Sequence, residues 1–368
     1  MQRMPARIGD PVAAIDTPAL CVDAAAFERN LGRMADATKG IRLRPHAKSH
    51  KCATIARAQV ARGAVGICCQ KTDEAAAFIE AGIGDVLVTN EVVGARKAAR
   101  LAALARSANV GVLLDAMPVV ETLSAAAMDA GVRLDAYVEV DVGANRCGVA
   151  PGPAVVELAV AIDRARGLRL RGLQAYHGAA QHLREPSERV AAIASASSIA
   201  RQMRELLVGA GLGCDIVTGA GTGTWQHERD SGVYHELQPG SYVFMDADYG
   251  RNVPDADAIA FEQSLFVIAS VMSTPAAGRA IVDAGLKAFS FDSGPPIVHG
   301  RPGAHYIKAS DEHGVLRVDE GPPIALDERI WLVPGHCDPT VNLYDWIVAA
   351  RDGIVEGIWP IEARGALG

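Results

Sequence analysis

Short apolar runs, each ending in small or polar residues, alternate with alanine-rich stretches over about the first 250 residues. The apolar runs predict strands at 42–48, 66–70, 85–90, 110–115, 136–142, 170–176, 215–218 and 241–246. The stretches between them predict helices at 51–62, 72–81, 92–106, 118–130, 153–165 and 187–210. Alternating strands and helices favour a parallel sheet, and eight such units match an α/β fold, a (β/α)8 TIM barrel. A doubly wound open sheet has the same periodicity and stays open as an alternative.

The pattern changes near residue 250. Segment 263–368 holds repeated β-rich pieces separated by turn signals such as RDG and PAAG, without a strong helical period. We therefore expect a C-terminal β domain. The early run TPALCVD at 17–23 is a candidate strand of that domain. The predicted division is a barrel over 24–250, and a β domain made of 1–23 plus 251–368.

Composition limits the function classes. Apolar residues make up 49% of the 368 residues, which is enough for a large core, and the net charge is −7. No Lys/Arg run is present, so we expect neither nucleic acid nor an anionic membrane as a partner. No apolar stretch approaches a membrane span, and the first 20 residues hold no secretory apolar region. Seven scattered cysteines without a C-x-x-C pair predict reduced thiols and a cytoplasmic protein.

Lysine is scarce, with seven lysines among 36 basic residues. If 42–48 is a strand, Arg44, His46 and Lys48 point to one face. Barrel strands turn alternate residues inward and carry active sites at their C-terminal ends. Lys48 is then a candidate Schiff-base lysine whose pKa the two neighbouring cations lower. Lys51 falls in the following helix, and an edge position is the alternative for Lys48.

A glycine-rich turn, TGAGTGT, follows the predicted strand 215–218. Its small residues let backbone N–H groups approach an anion, which suits a phosphate. A tight loop without a ligand is the alternative. The turn has no clean G-x-G-x-x-G and no G-K-[ST], so nicotinamide cofactors and nucleoside triphosphates are disfavoured.

The run GHCDP places His336 and Asp338 two residues apart. On an extended backbone they share a face, with Cys337 pointing away. Imidazole plus carboxylate suits Mn²⁺ or Mg²⁺, and a simple turn with a hydrogen-bonded Asp is the alternative.

Two histidines and one arginine complete the candidates. His177 and His182 follow the strand 170–176, and either is a candidate general base. Arg146 lies in a strand-end Gly-x-Asn-Arg-x-Gly run, where it could bind a phenolate or carboxylate. The alternatives are surface histidines and an arginine that ties two loops together.

Together these motifs resemble the D-threonine aldolase / D-serine dehydratase group of pyridoxal-phosphate (PLP) enzymes, relatives of alanine racemase. The resemblance rests on TPALCVD, RPHAKSHK, GICCQKTDEA, VEVDVGANRCGV, LQAYHG, TGAGTGT, ELQPGSYVFMD, VDAGLK, DEHG and GHCDPT, which follow one another in the order of the group. It implies an alanine-racemase-like (β/α)8 barrel with a C-terminal β domain, and a homodimer.

The resemblance also implies roles. Lys48 matches the PLP lysine, Arg146 the arginine that contacts the phenolic oxygen of PLP, and Tyr176 lies near the pyridine ring. His336 and Asp338 match the two metal ligands. The residues implied for the phosphate are Gly221, Thr222, Gly223, Gly240 and Ser241.

The metal motif separates the branches of the group. The dehydratases resemble this chain but carry His-x-Cys, whereas Asp338 suits Mn²⁺ or Mg²⁺ and resembles the aldolase branch, which includes D-threonine and 3-hydroxy-D-aspartate aldolases. The implied activity is retro-aldol cleavage of D-β-hydroxy-α-amino acids (D-threonine, D-phenylserine or D-3-hydroxyaspartate type) to glycine and an aldehyde. His182, and after it His177, is the base expected to take the hydroxyl proton.

Other readings stay open. The runner-up is a D-serine-type dehydratase that releases a 2-keto acid and ammonia. A non-catalytic PLP-binding protein, a racemase and a nicotinamide-dependent dehydrogenase follow. The β domain, the His336 and Asp338 pair, and the weak glycine motif argue against these three in turn.

Overall fold

The alternation of apolar and alanine-rich segments produces repeated β/α units. They are seen in a computed structural model that describes residues 3–368. Up to residue 237 the strands are β1 (Ala19–Asp23), β2 (Arg42–Leu43), β3 (Ile67–Cys69), β4 (Asp85–Glu91), β5 (Asn109–Leu114), β6 (Leu134–Glu139), β7 (Leu168–Ala175), β8 (Ile216–Gly219) and β9 (Glu236–Leu237). The helices of this region are α1 (Ala24–Ala37), α2 (Ala53–Ala61), α3 (Thr72–Glu80), α4 (Ala95–Leu104), α5 (Met117–Ala130), α6 (Pro153–Arg164), α7 (Pro186–Gly209) and α8 (Trp225–Asp230).

Strands β2 to β9 form one parallel sheet in the order β2-β9-β8-β7-β6-β5-β4-β3. A parallel bridge between His46 and Cys68 joins its two ends, so the sheet closes. The predicted (β/α)8 barrel with a C-terminal β domain is confirmed, and the doubly wound sheet is excluded. The helices pack their apolar faces on the sheet, as α1 does with Phe27 and Leu31. Helix α1 begins where the Asp23 side chain accepts a hydrogen bond from Ala26 N–H.

The rest of the chain is mostly strand. Its elements are β10 (Leu265–Ala276), β11 (Arg279–Val282), β12 (Ile297–Val298), β13 (Ala304–Ala309), β14 (Gly314–Val318), β15 (Arg329–Val333), α9 (Cys337–Val341), β16 (Trp346–Arg351) and β17 (Ile354–Pro360). With β1 they form a nine-stranded sheet. Strand β1 pairs antiparallel with β10 and parallel with β16, so the predicted strand in TPALCVD lies in this sheet. The domain boundaries themselves stay a prediction.

Two of the predicted strands, 241–246 and 42–48, were wrong in whole or in part. The eighth barrel strand is β9, not 241–246; Ser241–Val243 forms a 3-10 turn after Pro239 and Gly240. The apolar run there is buried because it packs in the core, and the pattern alone did not distinguish this from a strand. Strand β2 ends at Leu43, since Pro45 has no N–H to continue a ladder, and Ala47–Ser49 is also a 3-10 turn.

None of the helices described within residues 3–368 has both the length and the apolar character that a bilayer crossing requires.

Candidate active site

A cleft opens where the C-terminal ends of the barrel strands meet the segment that carries α9. Active sites of (β/α)8 barrels lie at this end. Ten of the residues singled out from the sequence line the cleft: Lys48, Arg146, Tyr176, His182, Gly221, Thr222, Gly240, Ser241, His336 and Asp338. The remaining two, His177 and Gly223, lie outside its lining.

Lys48 reaches the cleft from the 3-10 turn Ala47–Ser49 rather than from an extended strand. Its Nζ lies 3.3 Å from Oδ2 of Asp338. The charge of Asp338 raises the pKa of Lys48 and outweighs burial, which acts in the opposite direction. The predicted lowering of this pKa was therefore wrong.

The reason lies in the two neighbours expected to lower that pKa. Arg44 is 4% exposed and turns away to Glu236 and Asp85, so its charge is neutralised inside the barrel. Burial, and then the charge of Lys48, hold the pKa of His46 well below its ordinary value, so His46 is neutral at pH 7.

The glycine-rich turn and the turn after Pro239 face each other across the cleft. In the part of the chain that the structure describes, the backbone N–H groups of Gly221, Thr222, Gly240 and Ser241 have no hydrogen-bond acceptor. A Cβ on Gly240 would lie 2.6 Å from the carbonyl oxygen of His46, so the backbone can approach this closely only at a glycine. Four unpaired donors beside an amine fit a phosphate-bearing aldehyde such as PLP.

Gly223 differs from these four. Its N–H donates to Oε1 of Gln181 at 2.9 Å, and the residue lines an adjoining groove instead of the cleft. Its N–H is therefore already engaged, and the phosphate site that we propose below does not include it.

Arg146 and Tyr176 lie on one wall. The Arg146 guanidinium is 5.7 Å from the centre of the Tyr176 ring, a cation–π contact. Its Nη2 lies 3.8 Å from Oε1 of Glu139, which is 4% exposed. Burial and a hydrogen bond with Glu91 raise the pKa of Glu139 above its ordinary value. The distance of 3.8 Å is longer than a hydrogen bond, so Arg146 remains available to an anionic oxygen.

The two candidate bases have different surroundings. His182 lines the cleft, and its Nδ1 is 2.5 Å from Oδ2 of Asp248. This contact fixes the ring and leaves Nε2 for the cleft. Burial raises the pKa of Asp248, but the hydrogen bonds and charges of Arg184 and His182 outweigh burial, so this pKa lies below its ordinary value. His177 is half-buried beside Gly143, and burial lowers its pKa. The geometry favours His182.

His336 and Asp338 lie together, but not as the sequence predicted. His336 precedes α9 and Asp338 lies in its first turn, and 3.9 Å separate His336 Nε2 from Asp338 Oδ2. Cys337 does not point away, because its Sγ is 3.2 Å from Oδ1 of Asp338. Burial raises the pKa of Asp338, but the charges of Lys48 and His336 bring it down to about 2.

The Nδ1 atom of His336 lies 2.7 Å from Oδ2 of Asp292. A carboxylate on the far nitrogen of a histidine is the usual support of a metal ligand, since it fixes the tautomer with Nε2 free. These donors fit a hard divalent cation.

A second acidic cluster lies at the ends of β4 and β5. Glu91, Asp115 and Cys147 could place three ligand atoms within 4.8 Å of one another. Glu91 also contacts Glu139, and none of the three residues lines the cleft that holds His336 and Asp338. No motif in the sequence had indicated it, because its members are far apart along the chain.

Several cleft residues escaped the sequence analysis. Gln70 and Thr89 surround His46, and Gln174 exchanges two hydrogen bonds with Gln238. Tyr249 lies beside His182, with 5.8 Å between the ring centres. The available signal for these positions was their place at or near the end of an apolar run. That signal does not indicate what a side chain does. Asp248 and Asp292 had no sequence signal, because 66 and 44 residues separate them from the histidines that they hold.

Two known families match the chain. The alanine racemase N-terminal domain family matches residues 22–248, and a serine dehydratase domain family matches residues 264–350. The two matches cover the barrel and most of the β sheet.

Full-length relatives agree with this result. A D-threonine aldolase from Arthrobacter sp. is 50% identical over 98% of this chain and 96% of its own. A 3-hydroxy-D-aspartate aldolase from Paracoccus denitrificans is 46% identical over 98% and 95%. A D-threo-3-hydroxyaspartate dehydratase from Delftia sp. is 31% identical over 94% and 97%. The crystal structure of D-threonine aldolase from Filomicrobium marinum has a TM-score of 0.97 at 49% identity, with both chains fully covered.

Proposed function

This chain belongs to the D-threonine aldolase family on the alanine racemase fold, and from that membership we propose that it cleaves D-β-hydroxy-α-amino acids to glycine and an aldehyde. Members of this family are PLP-dependent carbon–carbon lyases. The observation that carries the proposal is the 3.3 Å contact between Lys48 and Asp338, because it brings a cofactor lysine and a metal ligand to one cleft.

The cofactor-binding residues that we propose are those with free donors. Lys48 would hold PLP through its amine, and the N–H groups of Gly221, Thr222, Gly240 and Ser241 would donate to the phosphate. We propose that Arg146 and Tyr176, which contact each other, lie next to the pyridine ring of PLP. When bound, PLP supplies the electron sink that allows a bond to Cα to break.

The metal-binding residues that we propose are His336 and Asp338. They would hold a divalent cation, which would supply a Lewis acid for a hydroxyl oxygen. The carboxylate of Asp338 favours Mn²⁺ or Mg²⁺ over the softer ions that a thiolate selects. Asp292 orients His336 from the other side of its ring.

His182 is the base that we propose for the β-hydroxyl proton. Asp248 holds its Nδ1, so Nε2 faces the cleft and is free to accept a proton. Asp248 also stabilises the charged ring that results, much as a carboxylate does in other acid–base pairs. His177 lies outside the cleft and is not part of this proposal.

We also propose a cellular location and an oligomeric state for the protein. All seven cysteines are free thiols, which supports a reducing, cytoplasmic location. A homodimer is expected from the family resemblance, and light scattering of the purified protein tests it.

Product analysis tests the function. The protein is incubated with PLP, Mn²⁺ and either D-threonine or D-3-hydroxyaspartate, and glycine, aldehyde, 2-keto acid and ammonia are all measured. Glycine plus an aldehyde, lost on chelation and in Lys48→Ala, is the expected result. A 2-keto acid plus ammonia would instead establish the runner-up dehydratase. The absence of both product pairs would contradict both activities.

A further inference from the structure

Gln181 is a buried glutamine in the 3-10 turn Ala179–His182, directly before the proposed base. Its side chain is 1% exposed, yet it does not line the cleft. A glutamine so deeply buried must have its amide groups satisfied, because an unpaired buried polar group is costly. Its partners therefore indicate what it does.

The amide of Gln181 holds the glycine-rich loop. Its Oε1 accepts from Gly223 N–H at 2.9 Å, and its Nε2 donates to Thr224 Oγ1 at 2.7 Å. A Cβ on Gly221 would lie 2.5 Å from the Gln181 amide carbon, and one on Gly223 would lie 2.7 Å from the Gln181 carbonyl oxygen. Glycine is thus required at both positions by Gln181 itself, independently of any ligand.

The hydrogen bonds continue away from the cleft. Thr224 Oγ1 donates to Oε1 of Glu228 at 2.8 Å, and Glu228 is 1% exposed. The bonds from Gln181 through Thr224 to Glu228 all run in one direction. They anchor the loop through residues that do not line the cleft.

The main chain of Gln181 belongs to a second set of contacts. Its carbonyl oxygen accepts from Asn252 Nδ2 at 2.9 Å, and Asn252 Oδ1 accepts from Arg184 Nη1 at 2.6 Å. Arg184 also binds Asp248, the residue that holds Nδ1 of His182. One residue therefore contacts both the glycine-rich loop and the assembly that orients His182.

We propose that Gln181 is a positioning residue that sets the phosphate-binding loop and His182 in one fixed geometry. The inference rests on the proposed function for the roles of the loop and of His182. Without the Gln181 amide, Gly223 N–H loses its acceptor and Thr224 Oγ1 loses a donor while keeping its bond to Glu228, and the loop has to rearrange to satisfy the Gly223 N–H. Cofactor affinity and turnover then both fall, although Gln181 touches neither cofactor nor substrate.

The test compares full-length holoenzymes: wild type, Gln181→Met, Thr224→Val, the double variant and Asn30→Leu. Methionine and valine keep the volume of the side chains they replace and remove the hydrogen bonds. Asn30 is the control, because it is also a fully buried amide, bound to both the N–H and the carbonyl of Glu262 at 2.8 Å and more weakly to the carbonyl of Val243 at 3.4 Å, and neither partner lines the cleft.

Gln181→Met is expected to weaken PLP binding about tenfold to hundredfold, measured as the dissociation constant from the absorbance of bound PLP. At saturating PLP its kcat for D-threonine should still fall about tenfold, while KM changes less than about threefold, because the metal side is untouched. Asn30→Leu should lower the melting temperature similarly and leave the PLP dissociation constant within about twofold of wild type.

The double variant tests the connection. Thr224→Val removes the Gln181–Thr224 hydrogen bond from its other end, together with the bond from Thr224 to Glu228, so adding it to Gln181→Met should cost less than the sum of the two single effects. If Gln181→Met does not fold, Thr224→Val alone carries the comparison with Asn30→Leu and is expected to weaken PLP binding by about tenfold.

The outcomes separate the two proposals. PLP affinity and kcat in Gln181→Met that match those of Asn30→Leu would overturn the inference and leave the aldolase intact. Fully additive effects would also overturn it. A wild-type protein that binds no PLP would overturn the proposed function and the inference together.

Discussion

The barrel side and the β-domain side of the cleft are constructed differently. On the barrel side, buried polar side chains form a continuous series from Glu236 through Thr218 and Gln238 to Gln174, with contacts of 2.7–3.2 Å. On the β-domain side, His336 before the five-residue helix α9 and Asp338 in its first turn reach the cleft. The barrel side is thus held by a connected network of buried side chains, whereas the β-domain side presents one pair of donors held by separate contacts, such as that of Asp292 with His336.

This difference suggests that the two sides bind different ligands. A rigid barrel suits a large cofactor that must be held in one orientation, because preorganised donors cost nothing when the ligand binds. A sparse His–Asp pair suits a small ion that brings its own geometry and keeps open positions for substrate. We therefore expect that a substitution on one side abolishes binding of the cofactor or of the metal, but not of both.

The largest expected effect tests that separation on the barrel side. Lys48→Ala should lower kcat by roughly 10⁴-fold or more, because it removes the amine that carries the cofactor. Absorbance of covalently bound PLP should vanish. Mn²⁺ binding, measured by calorimetry, should persist or tighten, since Asp338 is released from its ion pair with Lys48. A parallel loss of Mn²⁺ binding would show that the two sides are not separable.

The next prediction concerns the histidines where the two sides meet. His182→Gln should lower kcat by about 10²- to 10⁴-fold, the usual value for a general base. His177→Gln should change kcat by less than about threefold, because His177 does not line the cleft. PLP absorbance serves as the control and should be retained in both variants. Equal losses in the two variants would contradict the assignment of the base.

A smaller effect tests how completely the barrel side is buried. Burial raises the pKa of Glu228 to about 8, from an ordinary value of 4.5. Between these two pH values the unfolded chain releases a proton that the folded protein keeps, so wild-type stability falls as pH rises. Glu228→Gln keeps an acceptor for Thr224 and has no such proton. Its free energy of unfolding relative to wild type should rise by about 3 kcal/mol from pH 5 to pH 8.

Urea unfolding of both proteins at the two pH values measures this difference. A value that does not change with pH would mean that Glu228 ionises freely in the folded protein. Glu356→Gln, which removes an exposed carboxylate bound to Arg351, is the control and should show no comparable trend.

The sequence could predict where the site residues of the barrel lie, but not their local geometry. Lys48, Arg146 and the glycine-rich loop lie in runs that follow barrel strands, so alternation and short motifs placed them at one end of the fold. Their local geometry was less accessible. Pro45 ended β2 early, and the turn that follows it carries Lys48, so an argument from strand alternation did not apply.

Supporting contacts were not predictable from either side. Asp248, Asp292 and Gln181 act through partners 40 or more residues away, and such pairings follow from tertiary packing rather than from periodicity. The direction of the Lys48 pKa was wrong for the same reason. Glu236 and Asp85 neutralise the charge of Arg44, and burial keeps His46 neutral. The group that sets this pKa, Asp338, is 290 residues away.

The smallest expected effect examines the sparse side directly. Asp292 holds Nδ1 of His336 at 2.7 Å, and Asp292→Asn keeps the size of the side chain but removes its charge. Loss of such a supporting carboxylate weakens metal affinity about 10- to 100-fold, because the imidazole becomes less basic and less well oriented. Mn²⁺ titration by calorimetry should show this change, while the PLP dissociation constant stays within about twofold of wild type. If PLP binding weakened equally, the β-domain side would be supporting the cofactor as well, and the division between the two sides would be wrong.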